Sequence, residues 1–113
     1  MSNNQLSQKN KTEKLNLIDL LDYQPNSVVS RVLLKKSTGT ITVFAFDEGE
    51  GLSEHTAPFD AYVQILDGEA EITISSEPVI LKSGEMIIMP ANQPHSLKAL
   101  TRFKMLLVML RSQ

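Results

Sequence analysis

The chain has 113 residues, the length of one domain, and its 42% hydrophobic and 21% charged content is ordinary for a soluble fold. A net charge of −2 offers no basic surface to nucleic acid or to an anionic membrane. The absence of cysteine removes disulfides, thiolate metal sites and cysteine nucleophiles together, and fits a cytoplasmic location.

Residues 1–13 are rich in Asn, Gln, Ser and Lys, with Met1 and Leu6 as the large apolar side chains. They lack the apolar core of a signal peptide and are predicted to form a mobile tail, or an arm that orders on a partner. The remainder, 14–113, reads as a single domain. In residues 14–22, Leu15, Ile18 and Leu21, or Leu17 and Leu21, recur at helical spacing, which predicts one short helix that is not stable alone. No apolar run approaches the roughly 20 residues of a membrane helix.

From residue 27 onward, runs of Val, Ile, Thr and Phe alternate with turn residues. Strands are predicted over 28–36, 40–46, 61–66, 69–75, 78–82, 85–90 and 103–110. The run 28–36 ends at Ser37-Thr38-Gly39, and 40–46 ends in the acidic Asp47-Glu48-Gly49-Glu50-Gly51, read as a solvated loop. Asp67-Gly68 is a hairpin signal. In 69–75, Ala70, Ile72 and Ile74 alternate with Glu69, Glu71 and Thr73. The run 103–110 is almost continuously apolar, as a strand covered on both faces is. No long helical segment separates the strands, so an antiparallel sandwich or barrel is favoured over a parallel sheet.

The chain's two histidines are His55 and His95. The first lies in Gly51-Leu52-Ser53-Glu54-His55-Thr56-Ala57-Pro58-Phe59-Asp60-Ala61, which leads on to Gly68. The second follows Gly84-Glu85-Met86-Ile87-Ile88-Met89-Pro90-Ala91-Asn92-Gln93-Pro94 and precedes Ser96-Leu97-Lys98-Ala99. These segments resemble the two motifs of the cupin superfamily. His55 fits the first histidine of the first motif and Gly68 its closing glycine. Gly84, Pro90 and His95 fit the second motif at its spacings. The resemblance spans residues 51–99 and implies an all-β, antiparallel double-stranded β-helix, the jelly-roll or cupin barrel of a small single-domain protein, preceded by the short helix.

The departures from the motifs fall on the metal ligands. The family's second histidine is Ala57, its glutamate is Ala61, the glycine of its second motif is Asn92, and its final asparagine is Ala99. The resemblance therefore implies a metal site reduced to His55 and His95, weaker and less selective for a divalent Zn, Ni, Fe or Mn ion than three-ligand sites. Glu54, Asp60 and Gln64 are the candidate replacement ligands. Asp60 ranks first by proximity, while strand alternation turns Glu54 and Gln64 away from a cavity that His55 and Ala61 face. The two histidines are expected to face each other across one cavity, lined also by Ala57, Ala61, Val63 and Leu97. Met86, Met89, Met105 and Met109 read as core or interface filler rather than as a soft ligand set suited to Cu(I).

Two functions follow from different classes. One is a small-molecule-binding barrel, with Ala57 and Ala61 widening the cavity. The other is a metal-dependent enzyme of the dioxygenase, isomerase or decarboxylase kind, with His55 and His95 as metal ligands. A metal-free enzyme with a histidine general base ranks last, because no orienting carboxylate or nucleophile is evident. No phosphate loop, dinucleotide fingerprint or nucleophile elbow is present. The expected partners are a small molecule and a second copy of the chain, in a homodimer that uses strands 28–34 and 103–110, with no nucleic acid and no membrane.

Overall fold

The computed structural model describes residues 12–112. Among them, nine strands follow one another: β1 (Val28–Lys36), β2 (Gly39–Phe46), β3 (Gly51–His55), β4 (Phe59–Asp67), β5 (Glu69–Ile74), β6 (Glu77–Lys82), β7 (Met86–Met89), β8 (His95–Ala99) and β9 (Phe103–Arg111). They form a five-stranded sheet, β1-β2-β9-β4-β7, and a four-stranded sheet, β3-β8-β5-β6, in which every neighbouring pair is antiparallel. This is the jelly-roll arrangement expected from the alternation of short strands and turns. No helix among the described residues is long and apolar enough to cross a membrane.

All seven apolar runs of the sequence are strands, and β3 and β8 are additional. Each of these two carries a single large aliphatic side chain, Leu52 and Leu97, too little for a period-2 signal. The short N-terminal helix is present as one 3-10 turn, Leu17–Asp19, because Asn16 supplies no capping hydrogen bond and the segment instead docks by its backbone. Most of the predicted tail lies outside the described residues.

One turn differs from its sequence reading. Asp67-Gly68 is not a hairpin: β4 and β5 belong to different sheets, and the pair forms the corner between them. Gly68 has φ +79°, and a Cβ there would lie 1.9 Å from the Arg102 carbonyl oxygen, so the corner requires glycine on both counts. The tight hairpin joins β5 to β6 instead. Ile74 pairs with Glu77, leaving the two-residue loop Ser75-Ser76, both at positive φ.

Strand alternation sends Phe103, Met105, Leu107 and Met109 of β9 toward the four-stranded sheet, beside Phe44 and Phe46 of β2 and Ala61, Val63 and Ile65 of β4. Ala70, Ile72, Leu81, Leu97 and Ala99 meet them from the opposite sheet. Phe46 and Phe103 are cross-strand partners whose rings stack at 4.4 Å, adding about 0.5–1.5 kcal/mol beyond the area they bury. Leu81, Ile72 and Ala70 on one side and Phe103 and Met105 on the other belong to this one packed cluster.

The outer face of the five-stranded sheet is also apolar. The N-terminal segment crosses part of it. Lys104 Nζ donates to the Ile18 carbonyl at 2.6 Å, and Tyr23 donates to the Asp67 carboxylate at 2.5 Å while Arg102 and Lys104 sit over its ring. Val43 and Ala45, on the same face, are sealed. The rest of the face stays open. Ile88, Tyr62, Val108, Ile41 and Leu34 stand in register as one apolar row across all five strands. Leu110 extends it, and a groove of about 140 Å³ runs between Leu34, Ile41, Val108 and Leu110.

Replacing Gly68 by alanine is expected to destabilise the fold by about 3 kcal/mol or more, because strain and a backbone clash coincide at one corner. Denaturant unfolding of Gly68→Ala against the parent measures it.

Candidate functional site

His55 ends β3 and His95 begins β8, and the two are partners in one antiparallel register. They are therefore cross-strand neighbours in the same sheet, and both line one cavity. The pairing depends on a register shift between Leu52 and His55. A regular strand would send two residues three apart to opposite faces, and the bulge lets both reach the interior.

The ring geometry is specific. His55 Nδ1 lies 2.8 Å from the Ser53 carbonyl and His95 Nδ1 lies 3.2 Å from the Gln93 carbonyl. A carbonyl only accepts, so both Nδ1 atoms carry hydrogen, and in a neutral ring the Nε2 atom then presents its lone pair. Those Nε2 atoms are 3.1 Å apart. Two bare lone pairs at that distance repel; a proton or a cation between them turns the contact into an attraction.

The surrounding loops hold this geometry. Asn92, at the position of the second motif's glycine, has φ +66°, a left-handed conformation that glycine adopts freely and asparagine tolerates. The substitution thus preserves the turn. Asn92 N–H donates to the Ala57 carbonyl at 2.9 Å, and Ala91 N–H donates to Asp60 Oδ1 at 2.9 Å. Asp60 therefore ties down the turn before His95 instead of supplying a ligand. Gln64 accepts from the Tyr62 hydroxyl at 3.0 Å, and Glu54 is exposed. None of the three candidate replacements lines the cavity.

The cavity at the histidines holds about 50 Å³ and is lined by Leu52, His55, Ala57, Ala61, Met89, His95, Leu97, Met105, Leu107 and Met109. Ala57, Ala61 and Leu97 are where the sequence suggested. Val63 is fully buried but lies in the packed core, not on the cavity wall. Three methionines, Met89, Met105 and Met109, share this wall with the two alanines. The lining role of Met89, Met105, Leu107 and Met109 was missed in the sequence, although strict alternation along 103–110 puts three of them on one face.

The imidazole pair fits two adjacent nitrogen positions around one cation, since nitrogens about 2.1 Å from a metal are separated by roughly this distance when neighbouring. The rest of a divalent site does not fit. No group of three or more His, Cys, Asp or Glu is arranged to hold a metal among the described residues. The three-ligand zinc site and the two-histidine-one-carboxylate iron site both need an anionic or third nitrogen donor that these walls lack.

Burial holds the His95 pKa below its ordinary value of 6.5, and the neighbouring His55 pushes it the same way against the raising effect of the Gln93 carbonyl. The fold therefore favours neutral His95. That contribution to stability is complete above pH 6.5 and is lost as the pH falls from there through the lowered folded value. The melting temperature is expected to fall between pH 7.5 and pH 5, and less steeply in His95→Asn, which thermal unfolding across that range checks.

The cupin domain family matches residues 42–110. A conserved protein of unknown function from Streptococcus pyogenes is 38% identical over 90% of each chain, with a TM-score of 0.86. A cupin superfamily protein from Desulfitobacterium hafniense is 32% identical over 89% of this chain and 93% of its own, with a TM-score of 0.84. A cupin 2 conserved barrel domain protein from Leptotrichia buccalis is 39% identical over 86% of this chain but 47% of its own, with a TM-score of 0.84. No curated protein matches. The domain match and the shared barrel, with Gly68, Gly84, Pro90 and His95 at the motif positions, place this chain in the cupin family.

Proposed function

We propose that the protein is a binding barrel that takes a small, mostly apolar molecule into the cavity beside His55 and His95, with a weakly held cation at the histidine pair. One observation carries this reading. The cavity wall is aliphatic and thioether throughout except for two imidazole Nε2 atoms, so it offers a single polar anchor to an otherwise apolar guest. A volume of about 50 Å³ admits only a few heavy atoms, or one end of a longer molecule whose remainder lies at the mouth beside exposed His55. Asp60 and Asn92 act as positioning residues, because they fix the turn from which His95 projects.

The enzymatic alternative, a metal-dependent dioxygenase, isomerase or decarboxylase, rests on the same two histidines. They would hold the metal as neutral nitrogen ligands, and the metal would supply Lewis acidity. The walls contribute neither a carboxylate nor a second base, which favours binding over catalysis.

Short aliphatic acids and alcohols serve as probes of the cavity, read by NMR shifts of the His55 and His95 ring protons. Ala61→Val adds two methyl groups beside the pair and is expected to weaken probe binding by about tenfold or more. Equal binding in the variant would place the guest elsewhere.

We also infer that a second copy of the chain seats on the apolar row Ile88, Tyr62, Val108, Ile41 and Leu34. The support is its continuity across the whole sheet and the exposure of Leu110 at 60%, Ile88 at 50% and Leu34 at 48%. A two-fold dimer places the same patch of both copies in contact, so one apolar band can supply both sides. Light scattering after gel filtration is expected to give a dimer for the parent and a monomer for Leu110→Glu. A monomeric parent would overturn the inference.

A further inference from the structure

The cavity has a donor set that neither the cupin motifs nor the histidines alone reveal. Ala61 stands where relatives of the family place a carboxylate. On one side its cross-strand partner is Met89 of β7, and on the other it is Met109 of β9. Directly paired residues on one face of a sheet have Cβ atoms about 4.5–5.5 Å apart, so both methionine side chains spring from the immediate neighbours of the vacated ligand position. Both line the same cavity as His55 and His95, and Met89 is only 3% exposed. Met105, four residues before Met109 on β9, also lines it.

The charge of these donors decides what they suit. Two imidazoles with bare Nε2 atoms and two thioethers form a neutral, soft set. The desolvation cost of an ion rises with the square of its charge, and the wall has no carboxylate to offset a dication. Thioether sulfur is a soft donor, matched to Cu(I) and poorly matched to Zn²⁺, Mn²⁺ or Fe²⁺. We propose that His55, His95, Met89 and Met109 form a binding site for a soft monovalent cation of the Cu(I) class, held at the mouth of an apolar cavity. The proposal rests on the cavity site described above but not on the identity of its organic guest. Buried Met89 and partly buried Met109 thereby also take the place of the missing hard ligands.

The test is an anaerobic titration of the purified full chain with Cu(I) against a chromophoric Cu(I) chelator, alongside a Zn²⁺ titration. One Cu(I) per chain is expected, bound in preference to Zn²⁺. Met89→Leu and Met109→Leu conserve volume and keep the core packed. Each is expected to weaken Cu(I) binding by about tenfold or more while leaving Zn²⁺ binding unchanged, and His55→Ala to weaken both. X-ray absorption of the Cu(I) complex should show sulfur bonded to copper. Cu(I) affinity unchanged in the Met89→Leu/Met109→Leu double variant, or a preference for Zn²⁺, would overturn the proposal and leave the thioethers as packing alone. The organic-probe measurement is made on metal-free protein, so its failure and the failure of this titration are separate results.

Discussion

Strand β9 is the constraint on which the rest of the structure depends. It lies at the centre of the five-stranded sheet, paired with β2 on one side and β4 on the other. Both of its faces are apolar, and each has its own use. Phe103, Met105, Leu107 and Met109 point inward and build both the core and the cavity wall. Lys104, Leu106, Val108 and Leu110 point outward, where Lys104 anchors the N-terminal segment and the last two remain open. Because the side-chain period of a strand is two, a register slip of one residue would exchange these faces and destroy core, cavity and outer surface together. The Phe46–Phe103 stack and the glycine corner at Gly68, which presses against Arg102 and Phe103, hold that register at the start of β9.

The site is built on top of this frame by local irregularities. A bulge in β3 turns His55 inward, and a left-handed Asn92 shapes the turn that delivers His95. Each ring is then oriented by one carbonyl two residues upstream in its own segment, and the result is a pair of Nε2 lone pairs aimed at one point. Asp60, next to Ala61 in sequence, accepts a hydrogen bond from the Ala91 amide, and its carboxylate stays outside the cavity lining. The cavity is thus left with a lining of imidazole, thioether and aliphatic side chains and no carboxylate.

The outer face adds a second theme. The N-terminal segment covers only part of an apolar sheet surface, clamped by Tyr23 between Arg102 and Lys104. Burial and the Asp67 carboxylate beside it raise the Tyr23 pKa well above its ordinary value, so the phenol keeps its proton and the clamp persists across the neutral range. One strand therefore serves both surfaces, with the cavity on its inner side and the open row on its outer side.

Much of the barrel was legible in the residues themselves. The β-rich runs, their turn punctuation and the spacing of Gly68, Gly84, Pro90 and His95 follow from local preferences, which act over a few residues and leave their mark in composition. The histidines and alanines of the site were legible for the same reason, since they occupy motif positions. Four things were decided only by tertiary structure. The Asp67-Gly68 turn became a corner because its flanking strands found partners in different sheets. The histidines became neighbours through a bulge that no residue type announces. Asp60 was taken by a backbone amide from a distant turn. Met89 and Met109 came to flank Ala61 because two strands far apart in the chain pair with β4 at the same rung. Each of these is a matter of long-range register, which depends on how all the faces are buried at once and not on any segment alone.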